Sequence, residues 1–380
     1  MGRARAPEVK LAQLRVREAE ATRVGAGLVL PANPRLTLEA RPSLPQSTYP
    51  VQHLGYGATV DFLFDVGGAP SARVREAGLR ARSAQADAEV VRFYAGLLAW
   101  KLYLAAIIAQ QRVDETAESL VIAKRVMAAA QERSSAGAAG DIDVETARLE
   151  VVQIQAGLEG AVRERDGHQM GLREVLDLRG DQKLVLTTRA ELPPPPPPLA
   201  MLIEHAYRTR PELAATRHRM QLIEATDERL DREVFPKIGV YTGVDAAPYS
   251  AMFWSVGASV ELPVAQRNQT LRAVAARELD TERSRLELDQ RRIEREVTAA
   301  RASYEARRSE LTLLRDQAIP AAERNLSLIE TGWRSGRFDV FRVTAAARDL
   351  VRARALRLEA LEAAWLDRIA LEQAAGGWPP

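Results

Sequence analysis

The segment YGATVDFLFDVGGAPSARVREAGLRARSAQADAEV, residues 56–90, changes its period midway, and that change decides the fold. Tyr56, Ala58, Val60, Phe62 and Phe64 alternate with Gly57, Thr59, Asp61 and Leu63, the two-residue period of a strand with one apolar face. From residue 69 to Gly137 almost no Pro or Gly intervenes, and Ala77, Ala81, Ala84 and Ala88 recur at the three- and four-residue steps of a helix stripe. A helix of that length, at about 1.5 Å per residue, extends roughly 100 Å, more than a compact domain of this size holds.

The same order returns later in the chain. Met252, Trp254, Val256, Ala258, Val260 and Leu262 alternate with Ser255, Gly257, Ser259 and Glu261, and a second rod with almost no Pro or Gly interruption runs over 268–336 with Ala273, Ala276 and Leu279 as its small-residue stripe. Gly137 and Gly336 are 199 residues apart, and the strand ends at 61–64 and 260–263 share that offset, so the two rods are equally long. Each late strand has an earlier partner: Leu36, Leu38 and Ala40 after Pro34, and Ile238, Val240, Thr242 and Val244 after Pro236. Turn-forming residues in 46–52 and 245–251 make each pair a hairpin.

The expected organisation is a first repeat over 1–192, with a short helix, a hairpin at 34–64, a long helix at 69–136 and a returning helix at 141–178. Six prolines at 193–198 form a stiff extended connector, with a proline-rich recognition motif as the competing reading. The second repeat, 199–380, has a helix at 200–234, a hairpin at 236–263, a long helix at 268–334 and a returning helix at 338–374. Two hairpins give four strands, too few to close a barrel, so their edges and apolar faces require cover from other subunits or from a soluble helix.

Composition narrows the function. The chain has 380 residues with 53 basic and 51 acidic side chains, a formal charge of +2, which gives no nucleic-acid footprint. It has no cysteine, excluding thiolate chemistry and Cys-ligated metals. The best apolar run, 93–109, is broken by Lys101, so no membrane-spanning helix is expected. His53, His168, His205 and His218 are scattered, and Gly67-Gly68 lacks the rest of a nucleotide fingerprint. The reading is therefore no enzyme, with no catalytic, cofactor-binding or metal-ligating residue.

The joint order of LFDVGGAPSARVREA from Leu63, RTRPELAATRHR from Arg208, FWSVGASVELPV from Phe253 and TGWRSGRFDVFRVTAAARDL from Thr331 resembles the TolC-type outer-membrane efflux family, with a lean toward its heavy-metal and multidrug branch. The resemblance covers nearly all the chain. It implies a mostly α subunit with transmembrane β-hairpins, a homotrimer sharing one 12-strand β-barrel continued by a long α-helical duct. Tyr56, Val60, Phe62, Phe64, Trp254, Val256 and Leu262 would then face outer-membrane lipid, and Thr59, Asp61, Ser255, Ser259 and Glu261 the lumen. It also implies a periplasmic adaptor protein and an inner-membrane efflux transporter as partners.

In that family the turns after the long helices form the inner entrance, often lined by carboxylates. Here the first tip offers Gly137, Asp141, Asp143 and Glu145, and the second Gly336, Arg337, Asp339 and Arg342. Six and nine residues past Gly336 stand Arg342 and Ala345, so a mixed-charge entrance is expected, with Asp143 and Arg342 joining neighbouring hairpins and Asp141 acting as a helix cap. The alternative to a channel is a soluble or periplasmic coiled-coil adaptor or scaffold. No apolar core of a signal peptide follows the first basic residues, and the lead-in that 202–210 gives the second repeat has only MGRARA as its counterpart. An export signal and a first short helix are thus expected upstream, or lost by truncation.

Overall fold

The computed structural model describes residues 6–42, 54–137, 140–178, 184–246 and 252–377. The expected hairpin turn at 46–52, the part of the one at 245–251 beyond Ala246, and His53 lie outside the described residues, while Asp245 and Ala246 still belong to β3. The elements run α1 (Pro7–Ala21), β1 (Arg35–Pro42), β2 (Leu54–Phe64), α2 (Ala69–Ser135), α3 (Asp141–Val175), α4 (Leu199–Thr209), α5 (Pro211–Arg232), β3 (Ile238–Ala246), β4 (Met252–Val260), α6 (Gln269–Leu313), a π-turn (Leu314–Ala318), α7 (Ile319–Arg334) and α8 (Val340–Ala375). Two compact units result, one from 1–11, 89–211 and 289–380, the other from 12–88 and 212–288. Each draws on both sequence repeats, so the units of packing are not the units of duplication.

The second unit holds a four-stranded antiparallel sheet in the order β1-β2-β3-β4. The register sets Leu36 beside Val60, Val60 beside Thr242 and Thr242 beside Val256, so the apolar positions of all four strands share one face. That face is open: Leu36 is 62% exposed, Trp254 74% and Val256 65%. On the opposite face each of four glycines sits across from a larger side chain that leans over it: Gly57 under Asp245, Gly243 under Thr59, Gly257 under Tyr241 and Gly239 under Ser259. The alternation places the side chains of a strand on opposite faces, and the glycines leave this face thin. The strand β4 ends at Val260, before Glu261 and Leu262. Glu261 still donates its backbone N–H to the Lys237 carbonyl at 3.2 Å, and pairing stops there, since Pro263 brings no backbone donor to continue it.

The LFDVGG segment is a strand-to-helix turn. Gly67 and Gly68 have φ of 73° and 85°, and a β-carbon on Gly67 would lie 2.3 Å from the Phe235 ring. Asp65, nearly buried, accepts from Arg73 at 2.5 Å, while Arg73 also donates to the carbonyls of Ala26 and Leu28. Ala77, Ala81 and Ala88 are buried as the stripe predicts, but in α6 Ala273 and Ala276 are exposed and Ala275 is the buried alanine.

In the first unit, α2 pairs with α3 through Leu120, Ala123 and Val151, and α7 with α8 through Leu326, Ala346 and Leu350. A larger core joins Leu97, Leu104, Ile107 and Ile108 of α2 to Leu311 of α6 and to Leu358, Leu361 and Ile369 of α8. Lys101 does not disqualify this stretch as a spanning candidate: α2 contains an 18-residue window of mean hydropathy 1.4 with no more than two charged residues, long and apolar enough to cross a membrane by length and composition. Packing accounts for part of this apolarity: Leu97, Leu104, Ile107 and Ile108 of α2 are in that core, while 28% of the window is buried.

Two further expectations change. The helix expected over 200–234 is two helices, because Pro211 pushes Arg210 into extended backbone, with φ −61° and ψ 116°. Arg210 then turns its buried guanidinium onto the end of α8, donating to the carbonyl of Gln373 at 2.6 Å and to Glu296 at 3.0 Å. The second long helix is interrupted by the π-turn ahead of Pro320, whose missing N–H breaks the regular ladder. The proline connector is not free: Arg301 donates to the carbonyl of Pro197, Tyr304 to that of Pro194 and Arg308 to that of Pro193, one face of α6 reading an extended strand.

Candidate functional site at the helical tips

Both tips of the first unit are built by the same backbone device. Gly137 and Gly336 take φ of 72° and 77°, the left-handed conformation that ends a helix at little cost only in glycine. At the first tip the cap of α3 is Gly140, and Asp143 reaches back to accept from the Gly140 N–H at 3.3 Å. Asp141 is therefore the first helical residue and not the cap, a shift of one position that hands its expected role to Asp143. At the second tip Asp339 is the cap, accepting from the Arg342 N–H at 3.0 Å.

A core under the tips unites the two helical hairpins: Val126, Ala130 and Ala147 from one meet Trp333, Val340 and Val343 from the other. Arg133 crosses between them, donating to the Trp333 carbonyl with its guanidinium 5.5 Å from the indole centroid. Beside this contact is an open recess of about 350 Å³ lined by Arg133, Asp143, Gly336, Arg337 and Asp339 among others. Asp141, Glu145 and Arg342 are not among its lining residues. Glu145 pairs with Arg148 at 3.3 Å on the exposed surface, and Arg342 stacks on Phe338 at 5.1 Å. Within the subunit Asp143 and Arg342 do not pair with each other.

Higher on the hairpins, arginines of α8 hold carboxylates of the other helices. Arg348 meets Glu150 of α3 at 2.5 Å, Arg354 meets Glu118 of α2 at 3.4 Å and Glu323 of α7 at 3.2 Å, and Arg357 meets Glu115 of α2. Burial pushes the Glu115 carboxyl above its ordinary value, against the opposing pull of Arg357 and Arg354. Sequence reading missed Arg133, Trp333, Phe338 and this arginine series. Two of the chain's few aromatics flank Gly336 within three residues, which was a legible signal; the arginine partners were not, because they join segments up to 242 residues apart.

Among the described residues no group of three His, Cys, Asp or Glu is placed to hold a metal ion. His168 lies 3.9 Å from Glu164, and His218 contacts Gln221 at 3.2 Å on a different helix from His205. The arrangement is one of caps, stacks and ion pairs at a double turn.

The outer membrane efflux protein family matches residues 202–377. The chain is 26% identical over 301 residues to the cobalt-zinc-cadmium resistance protein CzcC of Cupriavidus metallidurans, covering 78% of this chain and 71% of that protein. Its fold matches that of the outer-membrane channel OprN with a TM-score of 0.77 and 18% identity, over 99% of this chain and 88% of the other. It matches the outer membrane protein VceC of Vibrio cholerae with a TM-score of 0.73 and 16% identity, over 99% and 94%. The architecture is thus that of outer-membrane efflux proteins. The family match covers most of the second repeat, and the fold of nearly the whole chain is that of these outer-membrane channels.

Proposed function

We infer that the protein is the outer-membrane channel component of a tripartite efflux system, passively conducting substrate that an inner-membrane pump delivers through a periplasmic adaptor. The observation that carries this reading is the sheet: four strands with one continuous, open apolar face and a thin polar face. In lipid such a sheet needs partners for both edges, β1 and β4, and a closed barrel is the solution that leaves no edge. Three copies give a 12-strand barrel with the apolar face to lipid and Thr59, Asp61, Tyr241, Ser255 and Ser259 to the lumen. The tips, with Gly137, Asp141, Asp143, Glu145, Gly336, Arg337, Asp339 and Arg342, then form the periplasmic entrance. CzcC, by its name a cobalt-zinc-cadmium resistance protein, supports the metal-efflux branch, with selection among substrates residing largely in the pump.

The test is extraction and mass. The protein should require detergent, migrate as a trimer after subtraction of bound detergent, and form pores in a planar bilayer; a monomer soluble without detergent would sink the reading.

A further inference from the structure

Gly332, Phe338 and Arg342 form a stack at the second tip. A β-carbon on Gly332 would lie 2.4 Å from Cδ2 of Phe338, so the ring rests directly on the backbone of the last turn of α7. Glycine is disfavoured inside a helix, and the ring accounts for its presence here. The guanidinium carbon of Arg342 lies 5.1 Å from the ring centroid. The acid nearest it in sequence, Asp339, uses a carboxylate oxygen to cap α8 by accepting from the Arg342 backbone N–H at 3.0 Å. Among the described residues the Arg342 side chain is held by a ring and neutralised by no carboxylate.

We propose that Gly332 and Phe338 are positioning residues that hold the Arg342 guanidinium as a fixed, unneutralised positive charge, and that this charge biases the channel entrance toward anions. The proposal rests on the channel reading above. Stacking on a ring restricts a long, flexible side chain without discharging it, whereas a carboxylate partner would do both. A positive charge fixed at a constriction acts through the local field, which low-dielectric walls concentrate. The same turn adds Arg334 and Arg337 against Asp339, which caps α8, and of the opposing acids at the first tip Asp143 accepts from the Gly140 N–H and Glu145 pairs with Arg148, leaving Asp141 as the main counter-charge. The plane of the guanidinium matters as well as its charge, because a lysine ammonium is a point charge without a face to stack.

The experiment uses the full chain in planar bilayers under a potassium chloride gradient, reading the chloride-to-potassium permeability ratio from the reversal potential. Arg342→Ala is expected to lower that ratio at least about twofold. Phe338→Leu and Gly332→Ala, which keep the arginine but remove or displace the ring, should lower it to a similar extent, and Phe338→Tyr should restore the wild-type ratio. Arg342→Lys should behave like Phe338→Leu. If Phe338→Leu fails to assemble, Gly332→Ala, which displaces the ring, and Arg342→Lys, which leaves it untouched, read the same property without deleting the aromatic side chain. An unchanged ratio in Arg342→Ala overturns the proposal, as does a wild-type ratio in Gly332→Ala and Arg342→Lys while Arg342→Ala shifts. Absence of any pore from the wild-type protein overturns the channel reading itself and is thereby distinguished from both.

Discussion

Arg210 shows how one side chain repairs a break that its neighbour creates. Pro211 bars residue 210 from helical backbone, so α4 and α5 are separate helices, and the freed arginine, 4% exposed, runs to the carbonyls that end α8. Charged hydrogen bonds of this kind are worth more than neutral ones, and Glu296, being partly exposed, survives their loss by taking up water. Arg210→Met preserves the bulk of the side chain and removes its donors. The expected loss is about 1.5–3 kcal/mol of stability, seen as a lower denaturant midpoint in detergent; an unchanged midpoint would mean that packing alone holds the α8 terminus. The sequence showed the motif, RTRPEL, and its proline, but the partner carbonyls lie 163 and 164 residues away and nothing local announces them. The tip acids divide in the same way. Their positions were legible from Gly137 and Gly336, while the assignment of the first cap to Gly140 with Asp143, and not to Asp141, depended on where the backbone turns.

Among elements, the proline connector departs furthest from what its composition suggests. A run of prolines is stiff and has carbonyls but no donors, so it cannot satisfy itself, and α6 satisfies it with Arg301, Tyr304 and Arg308 along one face. Burial pushes the Tyr304 hydroxyl up to about 12, so it remains a donor throughout the ordinary pH range. Tyr304→Phe should cost about 1 kcal/mol and loosen the connector; faster tryptic cleavage after Arg189 than in the wild type is the expected sign, and equal rates would show that the two arginines suffice. The ion pairs of α8 give a pH effect whose sign follows from Glu115. Its carboxyl is raised above the ordinary glutamate value mainly by burial, so over the range from that value upward the folded chain binds more protons there than the unfolded chain. Stability from this group is therefore present at low pH and is lost as pH rises through the raised value. Glu115→Gln removes that slope, so the thermal midpoint of the variant relative to the wild type should rise as pH increases through the raised value; a difference constant with pH would show that Glu115 carries no such linkage. The equal lengths of the two rods were visible as a 199-residue offset, yet the π-turn that interrupts only the second was not, because the helical pattern continues on both sides of Pro320.

At the scale of the whole molecule, duplication and packing follow different divisions: both compact units take residues from both repeats, and the β2–β3 pairing joins the hairpin of one repeat to that of the other. The alternating period specified the face of every strand but not which strands are neighbours, because the two hairpins are separated by more than 170 residues. Once β2 lies beside β3, the apolar positions fall on one side and the sheet acquires a surface with no use in water. This makes a charge on each face a sharp comparison. Val60 lies at the middle of the sheet, between Leu36 and Thr242, and Thr59 beside it points to the other face. If the apolar face meets lipid, Val60→Arg places a guanidinium near the bilayer midplane at a cost of about 2–4 kcal/mol, incurred once in each of the three subunits. Thr59→Arg adds the same side chain to the wet face, where water reaches it. Detergent-resistant trimer and pore formation should fail or fall sharply for Val60→Arg and persist, with altered conductance, for Thr59→Arg. Equal tolerance of both would mean that the apolar face packs against protein, because only contact with lipid makes one side of this sheet so much less forgiving of charge than the other.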